Sequence, residues 1–179
     1  MVRMPATFKP AWPGMAATLR ATLLALGVAW PLASAVAAPS RAAIFPFELD
    51  DTSQQGTRAD QTARLHQLDT ALREALVRSG RYVPVDIAPV AMEADAQVLR
   101  SCDACVTDLT HKLGAQVSVN GWVQKVSNLI LNINLVVRDA ATGKVLRAGS
   151  VDIRGNTDES WSRGLAWLLK HRILTGDAP

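Results

Sequence analysis

Cys102-Asp103-Ala104-Cys105 is the sharpest chemical motif in this 179-residue chain. Two thiols three positions apart can exchange a disulfide, and a helix N-terminus beside them lowers a thiol pKa because its free amides favour the thiolate. In that reading Cys102 is the nucleophile and Cys105 the resolving thiol of a periplasmic thiol-disulfide oxidoreductase. The same pair also suits a disulfide clip tying two helices together. So short a loop contributes about 2 kcal/mol at most. Context favours the clip: Arg100-Ser101 precedes the motif and Asp-Ala divides it, where a thioredoxin-type site has a strand, a Trp and Gly-Pro. A metal reading takes His111 as third ligand in a C-x2-C-x5-H spacing, with His66 or His171 as fourth. That spacing matches no known zinc module, and an oxidising compartment competes for both thiols.

Glu48, Asp50 and Asp51 offer hard oxygen ligands but lack the Gly and the alternating spacing of a calcium loop, and read as a solvated loop. There is no G-x-S-x-G, no phosphate-cradling Gly loop and no H-E-x-x-H. Hydrolase and kinase chemistry therefore find no support, and no cofactor is implied. The remaining candidate is a polar stripe of Asn120, Trp122, Asn132, Asn134 and Arg138. Asn is poorly suited to strand interiors, so its repetition there asks for a reason. A large aromatic among amides and an Arg is the composition of a recognition surface. It also fits a face partly covered by the last helix, with Trp122 against Trp161 or Trp167.

Residues 114–155 must position that stripe. They read as three antiparallel strands joined by two tight turns. The first puts Val117, Val119, Gly121 and Val123 on one face and Gln116, Ser118, Asn120, Trp122 and Gln124 on the other. The second divides Leu129, Leu131, Ile133, Leu135 and Val137 from Ile130, Asn132, Asn134, Val136 and Arg138. A period of two held this long is a strong strand signal. Gly143 closes the turn from Asp139 where a hairpin bulge requires a positive φ, and the third strand covers Lys144–Arg154.

Upstream, Ala42–Phe47 reads as a first strand with Pro46 at an edge or strand end. Glu48 to Gly56 is a loop, and Ala59–Arg78 a helix with Leu65, Leu68, Leu72 and Leu76 on one face. Tyr82–Ile87 is a second strand, Val90–Arg100 a helix opened by Pro89, and Val106, Leu109 and Leu113 one face of a third helix. Asn156 with Glu159 resembles a capping box for a last helix over Thr157–Leu174, whose Trp161, Leu165, Leu168, Leu169 and Ile173 face the core. The order β-α-β-α-α-β-β-β-α predicts an α+β fold: a two-layer single domain, mostly antiparallel sheet with a C-terminal meander and helices packed on it.

The first 37 residues hold Arg3, Lys9 and Arg20, no acid, the apolar run Ala21–Ala33 and then Ala35-Val36-Ala37, an A-x-A cleavage pattern. We expect residues 1–37 to be a cleaved signal peptide, with Met15 as an alternative start, and residues 38–179 to be a single secreted domain. Without a Cys after the site, a lipid anchor is not expected. Pro31 and the small-residue end argue against a retained membrane anchor. The chain carries 19 Lys and Arg against 16 Asp and Glu; the segment removed contains three of the basic residues, leaving 16 of each. The high isoelectric point thus belongs to the export signal, and nucleic-acid binding is disfavoured.

IFPF near the mature N-terminus, SGRYVPVD, LGAQVSVNGWV and RDAATGKVLRAG together resemble the anticodon-binding-like module of several envelope proteins. These include the N-terminal domain of the Tol-Pal translocation protein, the curli-secretion lipoprotein and lipoprotein activators of penicillin-binding proteins. More closely, SGRYVPVDI, CDAC, GWVQKVSN and the Trp-containing last helix resemble a family of secreted bacterial proteins of unknown function. The resemblance implies the α+β fold and specifies fold more than function; the export signal, the missing catalytic motifs and the polar stripe lead us to expect a non-enzymatic periplasmic protein that binds an envelope or periplasmic partner. The CxxC and the missing lipid-anchoring Cys depart from the envelope modules, so their particular partners do not carry over.

Overall fold

The computed structural model describes residues 38–56 and 58–176; the expected signal peptide, residues 1–37, lies outside them. The sheet grows from β1 (Ser40–Ile44), which is buried on both sides: Ala42 and Ile44 point to one face, Ala43 to the other. It pairs in parallel with β3 (Tyr82–Pro84) and with β4 (Val117–Lys125). From β4 the chain continues antiparallel into β5 (Ile130–Asp139) and β6 (Val145–Arg154), giving the order β3-β1-β4-β5-β6. The sheet is therefore mixed, parallel where helical connections return the chain and antiparallel in the meander.

The expected loop from Glu48 is instead a short strand, β2 (Glu48–Asp51), pairing in parallel with β4 beyond β1. Ile44 lies opposite Val119 and Glu48 opposite Trp122, so the β1–β2 side carries one extra residue, a bulge. Pro46 sits within it, where its missing amide hydrogen costs no ladder bond. The Phe47 N–H leaves the ladder and donates to Asp69 Oδ1 at 2.7 Å. The Glu-Leu-Asp-Asp segment shows no apolar alternation, and its pairing comes from β4 rather than from its own pattern.

One helical layer covers one face. α1 (Ala59–Arg78) spans the expected residues and buries Leu68, Leu72 and Leu76; α4 (Asp158–Leu168) buries Trp161, Leu165 and Leu168, and a π turn (Leu169–Ile173) adds Leu169 and Ile173. They close on Val117, Val119, Val123, Leu131, Ile133, Leu135 and Val137, the predicted apolar sides of β4 and β5. This is the two-layer α+β arrangement that the sequence predicts. The α4 cap falls one residue later than expected: the Ser160 N–H donates to Thr157 Oγ1 at 3.2 Å and the Thr157 N–H to Ser160 Oγ at 3.3 Å. Asn156 is engaged elsewhere, accepting the indole N–H of Trp161 at 3.0 Å.

The helix expected over Val90–Arg100 is broken. It comprises a 3-10 turn (Ala88–Val90), α2 (Ala91–Asp95) and a second 3-10 turn (Leu99–Ser101), followed by α3 (Asp103–Lys112). The Glu48 carboxylate explains the break, because it accepts the Leu99 N–H at 2.7 Å and the Arg100 N–H at 2.9 Å and holds them out of a helical ladder. Val90, Ala94, Leu99, Val106 and Leu109 form a second apolar cluster with Ala43, Phe45 and Ala115, on the side of β1 away from α1. In the meander, Leu129 departs from expectation: it lies in the β4–β5 turn and is exposed. Gly143 has φ +69°, as its turn requires.

Candidate functional site

Alternation and register assemble a polar sheet face opposite α1 and α4. Two cross-strand rungs define it: Glu48, Trp122, Asn134 and Ser150 in one, Asp50, Gln124, Asn132 and Asp152 in the next. Asn132 Nδ2 donates to Asp152 Oδ1 at 2.7 Å, and Ser150 Oγ donates to Asn132 Oδ1 at 2.8 Å. Trp122, Asn132 and Asn134 are half-buried. Trp122 does not pack on Trp161, which lies in the core on the opposite face.

All five stripe residues share this face, but two are not free surface. Asn120 is only 5% exposed, with its Oδ1 buried and unpartnered, because the segment from Leu99 into α3 packs against that end of β4. Arg138 is 13% exposed and donates to Asp103 Oδ1 at 2.5 Å. The open part therefore runs from Trp122 toward Gln124, Asn132, Asn134, Ser150 and Asp152. Ser150 and Asp152 were recoverable from the sequence by extending the same alternation into the third strand.

The acidic triplet splits between faces. Arg100 contacts Glu48 Oε2 at 3.4 Å and Asp50 Oδ1 at 3.3 Å beside the polar face. Asp51, of opposite parity, meets Lys125 Nζ at 2.9 Å. Strand geometry thus prevents the three carboxylates from converging on one cation, and the solvated-loop reading is replaced by a paired strand. Among the described residues no group of three His, Cys, Asp or Glu could hold a metal ion.

Cys102 and Cys105 are disulfide-bonded, with Cα atoms 5.2 Å apart. Cys102 caps α3, its Sγ accepting the Cys105 N–H at 3.3 Å, and the preceding element is the Leu99–Ser101 turn rather than a strand. His111 is not beside the sulfurs' chemistry: its Nε2 lies 2.5 Å from the Ala140 carbonyl oxygen and ties α3 to the β5–β6 turn. The bond joins the residue after the Leu99–Ser101 turn to the first turn of α3. We expect the Cys102→Ser/Cys105→Ser variant to keep its far-UV dichroism and to lose about 2 kcal/mol at most in urea unfolding.

A mixed sheet ending in a three-strand meander, with one full helical layer and a partial one, defines an α+β domain similar in fold to LpoB. The chain is 15% identical to the LpoB C-terminal domain from Salmonella enterica, with TM-score 0.50 over 68% of this chain and 87% of that one. For LpoB from E. coli the TM-score is 0.50 at 12% identity, over 87% and 88%. The PelC dodecamer protein from Paraburkholderia phytofirmans is 12% identical, with TM-score 0.49 over 75% and 88%. No curated protein sequence matched the chain. The chain belongs to the family described as "Protein of unknown function (DUF2380)", whose model matches residues 40–173. That span begins with β1 and ends with the π turn.

Proposed function

We propose that this protein is a non-enzymatic periplasmic component of the cell envelope that works by binding another protein through the amide-rich sheet face. Trp122 is the anchor; Asn132 and Asn134 specify the partner by hydrogen bonding, and Gln124 and Ser150 extend the same surface. The observation that carries this reading is the pair of polar rungs on a sheet whose other face carries the main core. An aromatic flanked by amides combines a large apolar contact with directional bonds. Export with removal of residues 1–37 supplies the compartment, and the disulfide fits an oxidising one. The family resemblance to envelope modules points the same way. Among the described residues no helix is long and apolar enough to cross a membrane.

Capture from periplasmic extract tests it. Trp122→Ala is expected to lower partner recovery about tenfold or more, as loss of an interface anchor does, with Asn134→Ala smaller. Unchanged recovery by both folded variants sinks the sheet-face site. The oxidoreductase alternative rests on Cys102 at the start of α3. It predicts insulin reduction that disappears in the Cys102→Ser/Cys105→Ser variant, whereas our reading expects none from either form.

A further inference from the structure

Among the described residues β6 is the open edge of the sheet. β3, at the other end of the order, is three residues long and carries Pro84, and β2 is four residues whose Glu48 and Asp50 are held by Arg100. β6 runs ten residues and from Arg147 to Arg154 has neither proline nor bulge, the usual means of blunting an edge.

A helix lines this edge along its length. α4 and the π turn after it run antiparallel to β6, with Gly164 over Val151 and Ile153, and Leu168 and Arg172 over Gly149. The two glycines permit the close approach: a Cβ on Gly164 would stand 2.5 Å from Ile153 Cγ2, and one on Gly149 2.6 Å from Arg172 Cβ. Between Val151–Arg154 and the helix residues Ser160, Arg163 and Trp167 lies a groove of about 360 Å³. Trp167 is 43% exposed and its ring centroid is 4.9 Å from that of His171, making an aromatic shelf over the edge. The surroundings are basic. Arg154 and Arg163 line the groove and Arg172 stands over Gly149 beyond it, while Glu159 shares Arg163 and the Asp152 carboxylate is held by Asn132.

The geometry points to a strand-addition site: an extended acidic segment of a partner protein pairs its main chain with β6, lays an apolar side chain on Trp167 and sets carboxylates against Arg163 and Arg172. A strand docked between a sheet edge and a helix takes affinity from main-chain bonds and specificity from alternate side chains. This surface is distinct from the Trp122 face and does not rest on it.

The test titrates the full chain with a short blocked peptide bearing glutamate, valine and glutamate at alternate positions with threonine between them, so that all three face the helix, read by anisotropy and amide hydrogen exchange. We expect saturable binding with slowed exchange confined to β6. Affinity should fall about tenfold for Trp167→Ala, and as much for a peptide N-methylated at alternate residues, which cannot pair its main chain. Replacing the glutamates by lysines should weaken binding to the wild type, and Arg163→Glu should recover part of that loss. No binding, equal binding of the methylated peptide, or protection outside β6 overturns the proposal. So does concentration-dependent self-association that protects β6, which would make a second copy of this chain the occupant.

Discussion

Asp51→Ala lowers the unfolding free energy by about 3–5 kcal/mol, the range for breaking a buried ion pair at one end. Lys125 occupies a core-face position of β4, continuing the series Val117, Val119, Val123, and is 0% exposed. Its ammonium meets Asp51 Oδ2 at 2.9 Å, while Oδ1 accepts the Ser53 N–H at 2.9 Å. Removing the carboxylate leaves a cation in the core. Lys125→Met should cost less, because Met fills the stem's volume and Asp51 keeps Ser53 and about 10% exposure. Replacing both by apolar residues should be near neutral. The pH dependence has a definite sign. Burial pushes the Asp51 carboxyl up, but hydrogen bonds from Ser53 and Lys125 outweigh it and hold the group below its ordinary value. A depressed folded pKa gives stability that is full above the unfolded value, about 3.9, and lost as pH falls through the folded one. Urea unfolding from neutral to acid pH checks both: the Asp51→Ala curve should lack this part of the acid loss.

The fold was legible wherever apolar residues repeat. The Leu68-Leu72-Leu76 spacing located α1, and the alternations of β4 and β5 located the meander and its core side. Elements held together by polar partners were not legible. β2 exists because β4 offers it a ladder and Arg100 and Lys125 neutralise its acids, none of which a Glu-Leu-Asp-Asp string announces. The break before α3 has the same origin, since Glu48 captures the Leu99 and Arg100 amides from some 50 positions away in sequence.

At the site, parity placed the five stripe residues on one face, because register translates directly into side. Parity says nothing about what crosses above. Asn120 and Trp122 are two positions apart on that face, yet one is under the Leu99–α3 segment and the other at the surface. The same limit applies to Lys125, whose charge suggests solvent while its register puts it in the core. The disulfide posed the opposite problem: spacing alone left exchange chemistry open, and the bonded pair follows a 3-10 turn where a thioredoxin-type site follows a strand.

Trp161→Ala is expected to cost about 3–5 kcal/mol, as large aromatic truncations in cores do. Trp161 is almost fully buried in the main core, and its indole N–H donates to Asn156 Oδ1. Above it Arg64 bridges helices: its guanidinium lies 6.0 Å from the indole centroid, donates to Asn156 Oδ1 at 3.2 Å and pairs with Asp158 at 2.6 Å. Two forces therefore hold the start of α4, apolar burial and this polar network, and a mutation series separates them. Trp161→Phe keeps most of the ring and leaves Asn156 its Arg64 donor, so about 1–2 kcal/mol should be lost. Arg64→Ala should lose about 1 kcal/mol or less, because the Asp158 partner is largely exposed and screened. Chemical denaturation of the three variants gives the order. If Arg64→Ala proved as damaging as Trp161→Ala, the network rather than burial would anchor α4. Burial is the stronger expectation, since the ring sits between sheet and helix where no water can replace it, whereas every ion-pair partner of Arg64 reaches solvent.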